Sequence, residues 1–433
     1  MKKTYQTSAA SVGTDELVMP ESVTLAMADL AETVKEGLLA LAVGAGFGIM
    51  QVMMQDSVTG LCGPKGVHDP DRSAVRHGSE DGSVTLGGRR VPVRRPRVRS
   101  ADGTTELAVP AYEVFTATEL LDAMALQRMM AKLSTRRYRA GLEPVGAAVE
   151  ASASSTSKSA VSRRFVAATE TALAEMLAAD LSGLDLVALM IDGVHFADHL
   201  CVVALGIGID GTKHPLGVVE GATENTTVVT DLLVGLRDRG LDTTRPILCV
   251  LDGAKALVAA VKAVFDRPVV HRCQLHKIRN VESKLPKTLA STVAKKMRAA
   301  YHDPSALAAE ATLEALAAGL AKSHPGAAGS LREGLFETLT VTRLGVPPTL
   351  ARTLRSTNAI ESMIEICRDH STNVKRWRDG QMVLRWCAAG MGEASKQFRR
   401  VNGYLHLPAL RAALEVHVNA AVTPQCDDAE VAA

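Results

Sequence analysis

Three acidic residues sit where rigid elements are able to hold them. Asp192 ends the apolar run Leu186-Val-Ala-Leu-Met-Ile, Asp252 ends Ile247-Leu-Cys-Val-Leu, and Glu361 falls early in the helix-patterned stretch that opens Ser356-Thr-Asn-Ala-Ile. Carboxylates arriving from separate elements are the hard oxygen ligands with which divalent cations grip a phosphodiester. Acids meeting in this way predict an enzyme acting on a nucleic-acid backbone, with two Mg2+ or Mn2+ ions as cofactors and no covalent enzyme intermediate. Each aspartate is followed by glycine, and Asp-Gly is also an ordinary turn dipeptide, so neither residue carries the reading alone. The third acid has rivals, because Glu361, Glu365 and Asp369 recur at helical spacing. Asn358, one turn before Glu361, and Arg368, seven residues after it, favour Glu361 as the member flanked by groups suited to orienting a carboxylate or meeting a phosphate. On spacing alone Glu365 still competes.

The elements that must position these acids follow from periodicity. Strands are expected at Val187–Asp192, Leu200–Gly206 and Pro215–Glu220, then a helix over Asn225–Arg239, a strand over Ile247–Asp252, a helix over Lys255–Phe265 and a short strand over Pro268–His271. Three successive strands followed by helix and strand in alternation is the order of a ribonuclease-H-like sheet, in which the first and fourth strands can be neighbours. That order would bring Asp192 beside Asp252. From Cys273 to about Thr349 the chain reads as wholly helical, broken at Asp303-Pro304, His324-Pro325 and Pro347-Pro348, so an all-helical insertion precedes the helix bearing Glu361. Val383–Arg400 reads as a basic amphipathic helix, and the small, acidic tail as disordered.

Upstream, Pro20–Gln55 reads as two amphipathic helices. Ser83-Val-Thr-Leu86, the pair Gly87-Gly88 and Arg90–Arg99 read as a hairpin whose prolines place its second strand at an edge. A helix follows from Thr116, another from Ser134-Thr135 through Arg139, and, after a breaker at Glu143-Pro-Val-Gly146, one opening at Ser157-Lys158-Ser159. A short helix, a connection and a second helix with polar and basic residues in its first turn would suit a helix-turn-helix DNA reader, although an ordinary solvated helix pair has the same pattern.

Charge bears on partners through its distribution. The net charge of the 433 residues is only +2, so binding to nucleic acid must rest on local clusters. Arg94, Arg95 and Arg97 belong to an arginine strip without an acid between Arg89 and Arg99, and Lys158, Ser159, Arg163 and Arg164 open the last of the helices just described. Both are candidate phosphate contacts. Aromatic residues make up 3% of the chain, which argues against base stacking as the main binding mode. Seven cysteines without a CxxC pair indicate a reducing, cytoplasmic setting. The apolar run Gly37–Met50 is too short and glycine-rich to span a bilayer, so no membrane partner is expected. Cys273 and His276 stand one helical turn apart beside His271, but no second Cys/His pair is spaced to complete a four-ligand zinc site. Packing and orientation near the acids is their expected role, and His195 is read as a solvated turn histidine.

Taken in order, Leu189-Met-Ile-Asp-Gly-Val-His-Phe, Gly221-Ala-Thr-Glu-Asn225, Val250-Leu-Asp-Gly-Ala-Lys-Ala-Leu, His271-Arg-Cys-Gln-Leu-His-Lys-Ile-Arg-Asn280, Arg355-Ser-Thr-Asn-Ala-Ile-Glu-Ser362 and Asn373-Val-Lys-Arg-Trp resemble the Mutator-type transposases of bacterial insertion sequences. The similarity runs from about Ser134 to Leu414. It implies a DDE transposase with Asp192, Asp252 and Glu361 as catalytic, metal-binding triad, choosing Glu361 over Glu365. It assigns Cys273 and His276 to the family's cysteine-histidine signature and Arg368 to a basic position after the glutamate, where Cys367 and Asp369 depart from the family's basic tendency. The implied architecture is an N-terminal helical segment (1–59), a basic β-rich segment (60–112), a helix-turn-helix-like DNA-binding region (113–180), a ribonuclease-H-like α/β catalytic domain in two parts (181–272 and 351–415) around an all-α insertion (273–350), and a tail (416–433). The implied partners are terminal inverted repeats and target DNA. Pairing two DNA ends requires at least a homodimer. A ribonuclease-H-like nuclease without strand transfer, or a decayed element protein that only binds DNA, are the competing readings.

Overall fold

The computed structural model describes residues 38–422, apart from residues 68, 222 and 224. The described residues form two compact units, one made of those up to Ala125 together with Thr135–Arg164, the other of Leu126–Ser134 and those from Phe165 onward.

The first unit is built on the expected hairpin. Strands β1 (Ala74–Leu86) and β2 (Arg89–Ser100) pair antiparallel around Gly87 and Gly88, whose φ values of 53° and 77° are the left-handed pair that a two-residue turn matching strand twist requires. A two-residue strand, β3 (Glu106–Leu107), adds to β2, so β2 is central rather than an edge. The correction is local. β3 pairs only with Val98 and Arg99, leaving Pro92 and Pro96 on a stretch whose outer side has no strand neighbour among the described residues, where a missing N–H is tolerated. Helix α1 (Leu38–Cys62) packs Val58 and Cys62 against Ala74, Val98 and Val109. It covers the later part of the Pro20–Gln55 stretch over which two helices are expected and runs on to Cys62; the part before Leu38 lies outside the described residues. Helices α2 (Pro110–Thr116) and α3 (Glu119–Met130) follow. The helix expected from Ser134 through Arg139 is absent. Turns and one 3-10 turn at Arg139–Gly141 take its place, because Gly141 and Pro144 leave too short a run to repay helix nucleation. A short helix α4 (Ala147–Ser152) precedes α5 (Lys158–Ala178), which opens where the sequence places it.

The second unit is a mixed α/β structure with a helical C-terminal region. Strands β4 (Leu186–Phe196), β5 (His199–Gly208), β6 (Lys213–Gly221), β7 (Ile247–Leu251) and β8 (Pro268–Arg272) form one sheet of order β6-β5-β4-β7-β8. β4, β5 and β6 are an antiparallel meander, whereas β7 runs parallel to β4 and β8 parallel to β7. The neighbouring strands β4 and β7 are apolar up to Ile191 and Leu251, where both faces are covered. Leu189, Ile191, Cys249 and Leu251 face a core shared with α6 (Thr226–Asp238) and α7 (Lys255–Val264). The alternate residues Ala188, Met190, Leu248 and Val250 face the C-terminal helices. Asn225 of the Gly221-to-Asn225 motif caps α6, its side chain accepting the Val228 N–H at 3.0 Å.

Between β8 and the helix carrying Glu361 the chain is helical, as expected: α8 (Gln274–Glu282), α9 (Lys287–Tyr301), α10 (Ala306–Ala321), α11 (Pro325–Arg332), α12 (Leu335–Thr338), α13 (Thr340–Arg343) and α14 (Pro348–Leu354). Val281, Ala294, Met297, Leu313 and Leu331 give this block its own core. Lys277 is fully buried inside it, with Nζ on the carbonyl oxygens of Ser330 and Glu333, and burial pushes its ammonium down to about 8.

Helix α15 (Asn358–His370) packs on α16 (Gly380–Ser395), where a Cβ on Gly390 would lie 2.9 Å from the Cα of Cys367. α16 is not the basic amphipathic helix expected over Val383–Arg400. Its one basic residue, Arg385, is buried against the Thr169 hydroxyl at 3.0 Å, and Lys396, Arg399 and Arg400 fall beyond its end. Small residues such as Ala388, Ala389 and Gly390 let α16 bury most of its circumference. Helix α17 (Leu407–Val422) closes the described chain. No described helix is long and apolar enough to cross a membrane.

Candidate active site

The site is assembled where β7 ends beside β4, which itself runs on past Asp192 to Phe196, against the expectation that this strand stops at Asp192. Ile191 and Leu251 are register partners on these parallel neighbours, so the next residues, Asp192 and Asp252, emerge side by side at strand spacing of about 4.8 Å. Each carboxylate is anchored by its own backbone. Asp192 Oδ1 accepts the Gly193 N–H at 2.9 Å, and Asp252 Oδ1 accepts the Ala254 N–H at 2.8 Å. The glycine after Asp252 is structurally required. Gly253 has φ +100°, and a Cβ there would lie 1.9 Å from Arg272 Nε. Gly253→Ala is therefore expected to destabilise the protein by about 2–3 kcal/mol through strain and clash, measurable by urea denaturation. An unchanged midpoint would mean that this turn relaxes freely.

Glu361 comes from the first turn of α15. Its Oε1 accepts the Thr357 hydroxyl at 2.6 Å and lies 3.8 Å from His276 Nε2. Asp192 reports the convergence electrostatically. Burial pushes its carboxyl up to about 6, and the negative charges of Asp252 and Glu361 add to that rise, against the Gly193 N–H and His276. Asp192 thus feels the charges of both other acids, which an oxygen-preferring divalent cation would relieve if bound.

Thr357 is the residue that sequence reasoning missed. Fully buried, it holds Glu361 and approaches His276 Nδ1 at 3.3 Å and Cys273 Sγ at 3.5 Å. A hydroxyl four residues before Glu361, within a motif already singled out, was the available signal. Cys273 precedes α8 and is buried. Burial raises its thiol, but hydrogen bonds with His276 and Thr357 outweigh it and hold the thiol below its usual range. The same bond to Cys273 lifts the His276 imidazole against burial, with help from Glu361 and Asp192. Donor atoms of Cys273, His276 and Glu361 lie within 4.8 Å of one another, one ligand short of a structural zinc site. His271 is buried in β8, and burial pushes it down to about 4, a packing residue.

The remaining predicted residues are placed elsewhere. Glu365 is exposed, and Asp369 pairs with Lys132 at 2.6 Å. Asn358 and Arg368 are exposed at the start and in the last turn of α15. His195 is exposed within β4 rather than in a turn. Arg94, Arg95 and Arg97 face acids of the neighbouring strands: Arg94 pairs with Asp81 at 3.0 Å, and Arg95 and Arg97 with Glu80 and Glu106. The strip that lacks acids along the chain is thus largely neutralised across the sheet. Arg164 bonds the Ser155 carbonyl at 2.7 Å and pairs with Asp122 at 3.4 Å. Lys158, Ser159 and Arg163 are exposed on the first turns of α5.

The site thus belongs to a mixed α/β protein with two aspartates on or just past neighbouring strands and a helix-borne glutamate, and comparison with known proteins gives the family. The profile of "Transposase, Mutator family" matches residues 21–401. The chain belongs to the Mutator family of transposases. It is 26% identical over 366 residues to the transposase for insertion sequence element ISRM5 of Rhizobium meliloti, covering 84% of this chain and 90% of that protein. It is 29% identical over 239 residues to the transposase for insertion sequence element IS6120 of Mycolicibacterium smegmatis, covering 54% of this chain and 72% of that one.

Proposed function

We propose that this transposase binds the terminal inverted repeats of its insertion sequence and carries out divalent-metal-dependent strand cleavage and strand transfer at Asp192, Asp252 and Glu361. The observation that supports the reading is that Asp192 and Asp252 each follow a member of the register pair Ile191 and Leu251 on parallel neighbours, with the Asp252 and Glu361 charges both raising the Asp192 carboxyl. The sheet order β6-β5-β4-β7-β8 supports a ribonuclease-H-like catalytic domain, with the helical block from α8 to α14 as its insertion.

Asp192, Asp252 and Glu361 would hold the cations. Bound there, two ions would activate water or a 3′-hydroxyl and stabilise the departing oxygen. The chain's own groups prepare this. Gly193 and Ala254 N–H groups orient the aspartates, Thr357 fixes one glutamate oxygen, and His276 places its Nε2 3.8 Å from the same carboxylate. Magnesium-dependent nicking and joining of a duplex carrying the element's ends tests the proposal, and hydrolysis without joining would favour the nuclease reading instead.

End binding falls to the region that includes α5, whose Lys158 and Arg163 are exposed and have no ion-pair partner among the described residues. Replacing both by alanine is expected to weaken duplex binding by about tenfold and to lower the salt slope by about 2, one for each phosphate no longer neutralised. Fluorescence anisotropy at several salt concentrations measures both. An unchanged slope would remove these residues from the interface.

A further inference from the structure

A cleft of about 540 Å³ opens between α8, the end of α9 and α14. α8 serves two sites, turning His276 toward Glu361 and Leu275 and Ile278 toward this cleft. The inner wall is apolar, while Arg298, Arg352 and Arg355 line it against a single acid, Asp303. Arg298 and Arg352 are exposed, and no ion-pair partner occurs for any of the three arginines among the described residues. Arg355 is partly buried, its Nε shielded from solvent without a hydrogen-bond acceptor, and the Arg352 charge adds to the burial that lowers its pKa. Such a group is incomplete without an anion. The start of α15 borders the same space through Ser356 and Asn358, and that helix has no side-chain cap on its N-terminal N–H groups. Uncapped N–H groups at a helix start favour a phosphate.

The volume lies within the about 300–1,000 Å³ of small-molecule sites, which excludes a duplex and admits one nucleotide. Asn358 precedes Glu361 by one helical turn, about 5 Å along the axis, so an occupant would lie next to the acids. We propose that this cleft takes a single unstacked nucleotide of the DNA strand being processed, with sugar and base on the apolar wall and the phosphate at Arg352, Arg355 and the start of α15. The inference rests on the proposed DNA chemistry and adds a strand-positioning subsite to it.

The test uses the full chain in Ca2+ with a duplex ending in a 3′ overhang of three 2-aminopurine nucleotides, compared with the same duplex blunt-ended. The wild type should prefer the overhang by about tenfold, with a change in 2-aminopurine fluorescence on binding. Val346→Trp, which fills the cleft, and the double variant Arg352→Ala/Arg355→Ala should each lose the preference while binding the blunt duplex within about twofold of wild type. Absence of the preference in wild type, or its survival in both variants, overturns the subsite. Magnesium-dependent cleavage is scored separately, so a cleft that fails leaves the triad standing, and a triad that fails is seen as cleavage that survives its loss.

Discussion

Asp252→Ala is expected to lower magnesium-dependent cleavage and joining by at least about 10³-fold, with duplex binding within about twofold of wild type. A thousandfold loss is about 4 kcal/mol of transition-state stabilisation, a reasonable share for one of three carboxylates in a metal-dependent displacement. Asp252 lies just past β7, and its main structural bond is the one accepted from Ala254 N–H, so the fold should survive its removal. Single-turnover rates, with thermal unfolding as the control for folding, decide the matter. Cleavage that persists near the wild-type rate would remove Asp252 from the chemistry.

Asp192→Asn should abolish activity and, without metal, make the protein more stable. The Asp192 carboxyl titrates near 3.8 when unfolded and near 6 when folded, chiefly because of burial. Between those values the folded protein holds a proton that the unfolded chain has released, so stability falls as pH rises through about 4 to 6 and then levels. A shift of about two units corresponds to at most about 3 kcal/mol, and solvent reaching this partly exposed site reduces it to about 1–2 kcal/mol. Asparagine never ionises and escapes that loss. At pH 7.5 in EDTA the variant should melt a few degrees above wild type. Millimolar Mg2+ should stabilise the wild type selectively, and less so below about pH 6, where the proton on Asp192 competes with the cation. A variant no more stable than wild type in EDTA would show that Asp192 is not under electrostatic strain.

The residues reached by long-range contact are those the sequence read least well. The arginine strip looks cationic because its counter-charges, Asp81, Glu80 and Glu106, arrive from other strands. The basic character assigned to Val383–Arg400 fails because Arg385 is buried and the other cations follow the helix. The helix expected at Ser134 fails for a local reason, too few residues before Gly141 and Pro144.

Local pattern alone determined the strand that ends before Asp252 and the apolar run that leads to Asp192, since stretches buried on both faces must be apolar; it did not show that β4 continues to Phe196, because the pairing of residues 192–196 is with β5 alone. It also determined the helical block after Cys273 and the hairpin at Gly87-Gly88. Periodicity left Glu361 and Glu365 equivalent, because both occupy helix positions four residues apart. The flanking Asn358 and Arg368 and the family resemblance favour Glu361, and tertiary structure supplies the geometric difference: α15 packs so that Glu361 meets Thr357 and His276 while Glu365 faces solvent. Thr357, like the arginines of the cleft, acquires a role from the meeting of segments some eighty residues apart in the chain, a separation across which sequence spacing carries no geometric information.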